Sequence, residues 1–204
     1  MRLVHLAFLV TAVACGGSQL TNLPLSWRGV DESPRPSAAV AQSFAAAPIA
    51  FGLRDVRPDP SAVGTYDDGT FTVRTSDNVA QFCSNKLGEM LAHAGARMNE
   101  TPQAVLEAEL LQYTVVEGAT FAGTVQLRAT VRRGNTGQEW SKIYTGTSKR
   151  FGRSHSADNF NEALSNALSD ATSKMVTDDD FAHAIDPSIG PPSAIPPPPG
   201  AVGG

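Results

Sequence analysis

The sequence predicts an α+β domain: two helices packed on one face of a mainly antiparallel four-stranded sheet, in the order β-α-β-β-β-α. Three observations predict it. Residues 103–116 and 120–133 alternate apolar and polar side chains, the period of a half-buried strand, with Glu117-Gly118 turning the chain between them. Two other stretches, beginning near Ser76 and Ser156, carry apolar residues at helical period. Segments rich in Pro, Gly, Ser and Ala flank these elements and leave about residues 48–185 as one folded unit.

Residues 48–56 (PIAFGLRDV) form the first predicted strand, and residues 58–72 are turn-rich around Asp67-Asp68-Gly69. From Ser76 onward, Val79, Phe82, Cys83, Leu87, Met90, Leu91 and Ala94 recur three and four residues apart, so they share a helix face. Ser76 or Asp77 caps that helix and Gly95 ends it. In 103–116, Ala104, Leu106, Ala108 and Leu110 face one way, and Glu107 and Glu109 the other. In 120–133, Val125, Leu127, Ala129 and Val131 oppose Thr124, Gln126, Arg128, Thr130 and Arg132. A turn over 134–137 leads to a strand at 139–149. The last helix carries the stripe Phe160, Ala163, Leu164, Ala167, Leu168, Ala171 and Met175. Because the first helix joins strands of one sheet, a parallel or crossed-over pair is expected there.

The N-terminus is a targeting signal. Arg2, an apolar run from Leu3 to Val13, Ala14 and then Cys15 make the pattern of a bacterial lipobox, with cleavage before Cys15 and lipid on its thiol. The run is shorter than the roughly 20 apolar residues a spanning helix needs. The predicted organisation is a signal peptide at 1–14, lipidated Cys15 with a flexible tether through 47, the domain at 48–185, and a disordered Pro/Gly-rich tail at 186–204. The absence of aspartate after Cys15, where Gly16 stands, favours the outer membrane. The membrane is thus one predicted partner, through the lipid. The formal net charge of −4 gives no global attraction for nucleic acid or for anionic lipid headgroups.

No catalytic residue, cofactor or metal is expected. His93, His155 and His183 are far apart and belong to no HExxH arrangement, and no GxSxG, Walker or GxGxxG motif occurs. The chain has two cysteines; with lipid on Cys15, Cys83 is left as a buried structural thiol in a helical pattern. Asp178-Asp179-Asp180 lacks the alternating spacing of a calcium loop and suits a solvated helix end. Asp55 and Arg57, two apart on a strand, face the same way and fit a structural ion pair better than catalysis. Arg128, Arg132, Arg133, Lys142, Lys149, Arg150 and Arg153 cluster on the last strands. They suit charge pairing across the sheet, with Glu107 or Glu109 opposite Arg128; an anion-binding surface is the alternative.

Several segments carry a resemblance. The cysteine at 15, the Asp55-Val56-Arg57 step followed by Gly64, LGEMLAHAG at 87–95, AELLQY at 108–113, WSKIYTGTSKR at 140–150 and NEALSNALSDATSKM at 161–175 resemble the YajG-like family of bacterial lipoproteins. The resemblance covers about residues 15–181. It implies an outer-membrane-associated lipoprotein with two helices on an antiparallel sheet and no established biochemical activity. The proline tail and long tether depart from it.

Two functions follow as expectations. The first is a non-enzymatic, membrane-tethered adaptor or assembly factor with an envelope protein partner. The alternative is a carrier or sensor of a lipid or small apolar ligand, auxiliary to an envelope transporter. A wide apolar cavity between helices and sheet favours the carrier; a filled core with an apolar patch on the open sheet face favours the adaptor. Alternation carried through 103–116 puts Leu111, Tyr113 and Val115 on the Glu107/Glu109 side, away from the helices. They are therefore the candidate partner contact, unless the tether covers them through Trp27 or Phe44.

Overall fold

The structure is a computed structural model, and it describes residues 20–29, 34–67, 69–98, 100–134, 139–152 and 156–189. Its frame is three long strands, β4 (Ala104–Glu117), β5 (Thr120–Arg133) and β6 (Glu139–Phe151), paired antiparallel in sequence order. β5 alternates as expected, with Phe121, Val125, Leu127, Ala129 and Val131 all buried. Two further elements share the free side of β4. β1 (Ile49–Asp55) runs parallel to its first half, and β2 (Ala62–Tyr66) runs parallel to its last residues. β3 (Phe71–Arg74) pairs antiparallel with β2 and completes the order β3-β2-β4-β5-β6, with β1 beside β4.

The architecture is therefore α+β, with an open, mixed sheet of six strands in place of the expected four-stranded antiparallel one. The expected parallel step is β1 to β4. The two additional strands come from the turn-rich stretch 58–72, where AVGTY and FTVR are too short for alternation to stand out. Asp67 and Gly69 adopt positive φ, 50° and 94°, and close this hairpin.

α2 (Val79–His93) and α3 (Ala157–Val176) are the two predicted helices. Asn78, not Ser76 or Asp77, caps α2 by accepting the Gln81 N–H, and Gly95 at φ 98° follows its end. α3 lies close on β5 and β6. A Cβ at Gly146 would overlap the backbone of Ala167 and Ala171, and one at Gly123 would overlap that of Ala163. These glycines and the Ala163/Ala167/Ala171 stripe let helix and sheet approach backbone to backbone. Leu87, Leu91, Leu106, Leu110, Leu127 and Leu164 fill the space between the layers, each fully buried.

Two more helices were not expected. α1 (Ala38–Ala46) arises from the segment read as tether, capped by Ser37, whose hydroxyl accepts the Val40 N–H. Its Phe44 packs edge-to-face on Phe181 of α4 (Asp179–Ile185), ring centroids 6.1 Å apart. Apart from Val40 and Phe44, α1 offers little apolar bulk, so composition hid it.

The sheet also breaks its own period. Register shifts between Leu110 and Gln112, leaving Leu111 as a bulge. Beyond it Tyr113 and Val115 turn to the helix side, 1% and 0% exposed. The expected exposed trio does not form: Leu111 is half-buried and the other two are core. One extra residue in a period-2 element exchanges the faces of everything after it.

Candidate functional site

Residues 20–29 lie on the domain rather than away from it. Asn22 bridges to Arg74 in parallel, with the Leu23 N–H donating to the Arg74 carbonyl at 2.7 Å. This covers the free edge of β3. Leu23 is fully buried. Asn161 of α3 then grips the backbone at two points: its Nδ2 donates to the Pro24 carbonyl (3.0 Å) and its Oδ1 accepts the Ser26 N–H (3.1 Å). One turn on, Ser165 Oγ accepts the Arg28 N–H at 3.0 Å. Trp27 sits beside the Lys86 ammonium, 5.9 Å from its ring centroid. Asn161 and Ser165 are buried polar residues four apart on an otherwise apolar helix face. That pair is the signal in the sequence for a docked segment. The predicted tether is thus folded over 20–29 and 34–47, and Trp27 and Phe44 pack against helices, not over the open sheet face.

Asp55 and Arg57 form the expected ion pair, and it is buried. Arg57 Nε and Nη2 donate to Asp55 Oδ1 and Oδ2 at 2.9 and 2.7 Å. The remaining guanidinium hydrogens go to the carbonyls of Pro60 (2.6 Å), Ala62 (2.7 Å) and Tyr113 (3.2 Å). All five donors are thereby used inside the protein. Arg57 fastens the connection that carries the chain from β1 to β2, at the place where both meet β4. Beside it, burial pushes the Cys83 thiol up to about 12 and the Tyr113 phenol well above its usual range. Burial of this kind disfavours the thiolate and fits a structural thiol.

The cluster of basic residues is largely neutralised. Glu109 lies between Arg128 (2.5 Å) and Arg54 on the open face. Its partial burial is outweighed by those two hydrogen bonds, which hold the carboxyl below its ordinary value. Arg132 pairs with Glu107 and Glu139 at 2.8 and 2.9 Å, and Arg150 pairs with Glu162. Lys142 meets Asp178 and Asp180, and the Tyr144 hydroxyl donates to Asp178 at 2.5 Å. Asp178 also caps α4. Of the remaining basic residues, Arg133 is itself engaged and Lys149 is exposed. His93 is exposed at the end of α2, and the His183 ring contacts the Ile189 carbonyl at 2.8 Å. Arg153, His155, Cys15 and the tail from 190 onward lie outside the described residues.

The face of β4–β6 away from the helices has no layer over it among the described residues. Rows of polar side chains cross it: Gln112, Gln126 and Thr145, then Thr114, Thr124 and Thr147, beside the Glu109–Arg128 pair. The expected Leu111, Tyr113 and Val115 patch does not form on it, although Val105, Val116, Ile143 and Phe151 are exposed there. At the free edge of β6, Lys174 Nζ donates to the Thr145 carbonyl and Asp170 accepts the Thr147 N–H, each at 2.8 Å. This pair blocks strand addition at the middle of that edge. Two depressions, of about 360 and 410 Å³, are open to solvent and of mixed polarity. The first lies at the margin between α4 and the ends of β5 and β6, the second between the end of β1 and the start of α2.

A family described as uncharacterized lipoprotein matches over residues 34–186, three quarters of the chain. The chain belongs to the YajG-like family of lipoproteins. The comparison with curated proteins gives no match. Among solved structures, protein XCC0632 from Xanthomonas campestris is similar at 11% identity and TM-score 0.50, over 78% of this chain and 93% of that one. That likeness concerns the fold alone. Lipoprotein GNA1162 from Neisseria meningitidis is similar at 14% identity and TM-score 0.34, over 50% of this chain and 83% of that one.

As a YajG-like lipoprotein, this chain is a lipid-anchored envelope protein. No helix among the described residues is long and apolar enough to cross a membrane. The matched region begins at Pro34, so it includes α1 within the family domain.

Proposed function

We propose that this lipoprotein is a non-enzymatic adaptor or assembly factor at the outer membrane, offering the uncovered face of its sheet to an envelope protein. The observation that carries the reading is the contrast between the two faces. One face of β4–β6 is covered by helices whose buried leucines and alanines pack against it among the described residues, which speaks against a lipid cargo there. The other, uncovered among the described residues, is a broad array of Thr, Gln and paired charges of both signs, interrupted by exposed Val105, Val116, Ile143 and Phe151. A surface of this kind suits a polar protein contact, whose specificity comes from complementary charges and hydrogen bonds. The groups that chemistry would require support the non-enzymatic part: Arg57 is spent on internal acceptors and Cys83 is held as a buried thiol. The residue after Cys15, Gly16, supports the outer membrane.

A photo-crosslinking residue at Gln126 tests it in intact cells, with Asn85 on the exposed side of α2 as comparison. The expected result is one adduct of defined mass at Gln126 and none at Asn85. Adducts confined to Asn85 overturn the reading. So does a stoichiometric lipid retained within the purified chain by native mass spectrometry, which establishes the carrier.

A further inference from the structure

We propose that one end of the sheet is a membrane-seating surface: the rim formed by the β2–β3 turn, the β4–β5 turn and the end of β6 rests in the phospholipid headgroup region. The lipid anchor then holds the domain against the bilayer in a fixed orientation.

The direction of the chain is the first observation. β3 begins at the rim with Phe71 and runs away from it to Arg74. Asn22 pairs with Arg74 in parallel, so the segment runs the same way as β3. Followed back toward the N-terminus, it heads to the rim. Cys15 precedes Leu20 by five residues. At ~3.6 Å per residue the lipid-bearing residue lies within about 18 Å of Leu20. That reach keeps a domain pinned by Leu23, Asn161 and Ser165 near the surface, with this rim on the side of the anchor.

The second observation is that three of the six exposed large apolar side chains among the described residues lie at this rim, while Val56, Val105 and Ile143 lie elsewhere. Phe151 is 83% exposed, Val116 45% and Phe71 37%. Register places all three on this rim: Val116 beside Thr65, Phe71 beside Tyr66 at the hairpin turn, and Phe151 beside Thr120 at the β4–β5 turn. The strands from β3 to β6 span four spacings of ~4.8 Å, so the three residues stand across about 19 Å. Among the described residues no ring packs on Phe151, which is 83% exposed. Aromatic and aliphatic side chains at one end of a lipid-anchored domain match the chemistry of the bilayer interface. The rim carries charge of both signs, exposed Lys149 two residues before Phe151 and exposed Asp67 in the β2–β3 turn, so the apolar side chains and not charge carry the seating.

The test uses the acylated full chain, reconstituted in phosphatidylethanolamine/phosphatidylglycerol vesicles and shown to float with them. A nitroxide is attached at Val116→Cys on the rim, or at Ser141→Cys toward the opposite end of the open face. Acylated Cys15 and buried Cys83 leave the introduced thiol as the reactive one. The accessibility of each label to oxygen relative to a water-soluble nickel complex is then read. We expect the ratio at 116 to rise severalfold on reconstitution and the ratio at 141 to stay at its aqueous value. In a Phe71→Ser/Phe151→Ser chain, the rise at 116 should be lost while the protein still floats. Aqueous ratios at both positions overturn the proposal, because the domain then stands off the bilayer. A rise at both overturns it too, since the whole open face then lies on the lipid. Spin–spin broadening at 116 in place of immersion shows that a second copy covers the rim.

Discussion

Arg57 folds back on Asp55, two residues earlier in the chain, and the two side chains meet in a bidentate pair with only 6% and 7% of their surface exposed. Each neutralises a charge that the core cannot otherwise hold. Arg57→Ala leaves the Asp55 carboxylate buried alone and is expected to cost about 3–5 kcal/mol. Arg57→Lys should also destabilise, because an ammonium has three donors and cannot span Asp55, Pro60, Ala62 and Tyr113 together. Urea unfolding of the soluble domain checks both. A cost below ~0.5 kcal/mol for either would place the pair at a hydrated surface.

Asn161→Ala removes both grips on the Pro24–Ser26 backbone. The expected loss is about 1–3 kcal/mol, the cost of leaving buried polar groups unsatisfied. Limited proteolysis should then cut among residues 20–29 well before the domain unfolds. Unchanged cleavage kinetics would show that Leu23 and the Arg74 bridge hold the segment without α3.

Gly146→Ala forces a methyl group into the α3 backbone at Ala167 and Ala171. Backbone yields less readily than a side chain, so the expected loss is at the upper end of overpacking, about 3 kcal/mol. Gly52→Ala is the control, since no atom lies within 4 Å of its added Cβ. Thermal unfolding of the two variants should separate them by well over the error of the method.

Acid should weaken the fold in a definite window. Hydrogen bonds from Ser61 and then Arg74 hold the Asp59 carboxyl at about 2, against 3.8 for the free group. Asp178 is also lowered: burial opposes the shift, but Lys142, Tyr144 and the Asp180 N–H outweigh it. In both cases the unfolded chain takes up the proton first. Their contributions are therefore present above the free-group value of 3.8 and fade as pH falls toward the folded-state values. The urea midpoint should drop from pH 5 to pH 2. In an Asp59→Asn/Asp178→Asn chain the drop should be shallower and the midpoint at pH 7 lower. A wild-type midpoint flat across this range would contradict the assignment.

The Cys83 thiol, raised to about 12 by burial, should resist a thiol reagent at pH 8 in the native state and react at once in denaturant. Native-state labelling at the rate of a free cysteine would show that α2 opens readily from β1.

Periodic and local features were legible in the sequence. The stripes of α2 and α3 and the alternation of β5 are repeated so often that a single face satisfies every apolar residue. The Asp55–Arg57 pair and the Glu109–Arg128 contact follow from strand geometry and one tight turn. The pattern read as a lipobox at Cys15 is linear, and reading it draws on no part of the fold.

The remainder depended on contacts between distant parts of the chain. The bulge at Leu111 costs one residue of register and reverses the faces of Tyr113 and Val115; no residue type there announces it. β2 and β3 are too short to show a period, and they exist because β4 and residues 21–23 supply partners on either side. α1 and the segment at 20–29 have weak local preference for order. Phe181, Asn161 and Ser165, more than 100 residues away, offset their conformational entropy, and only the assembled fold brings those groups within reach.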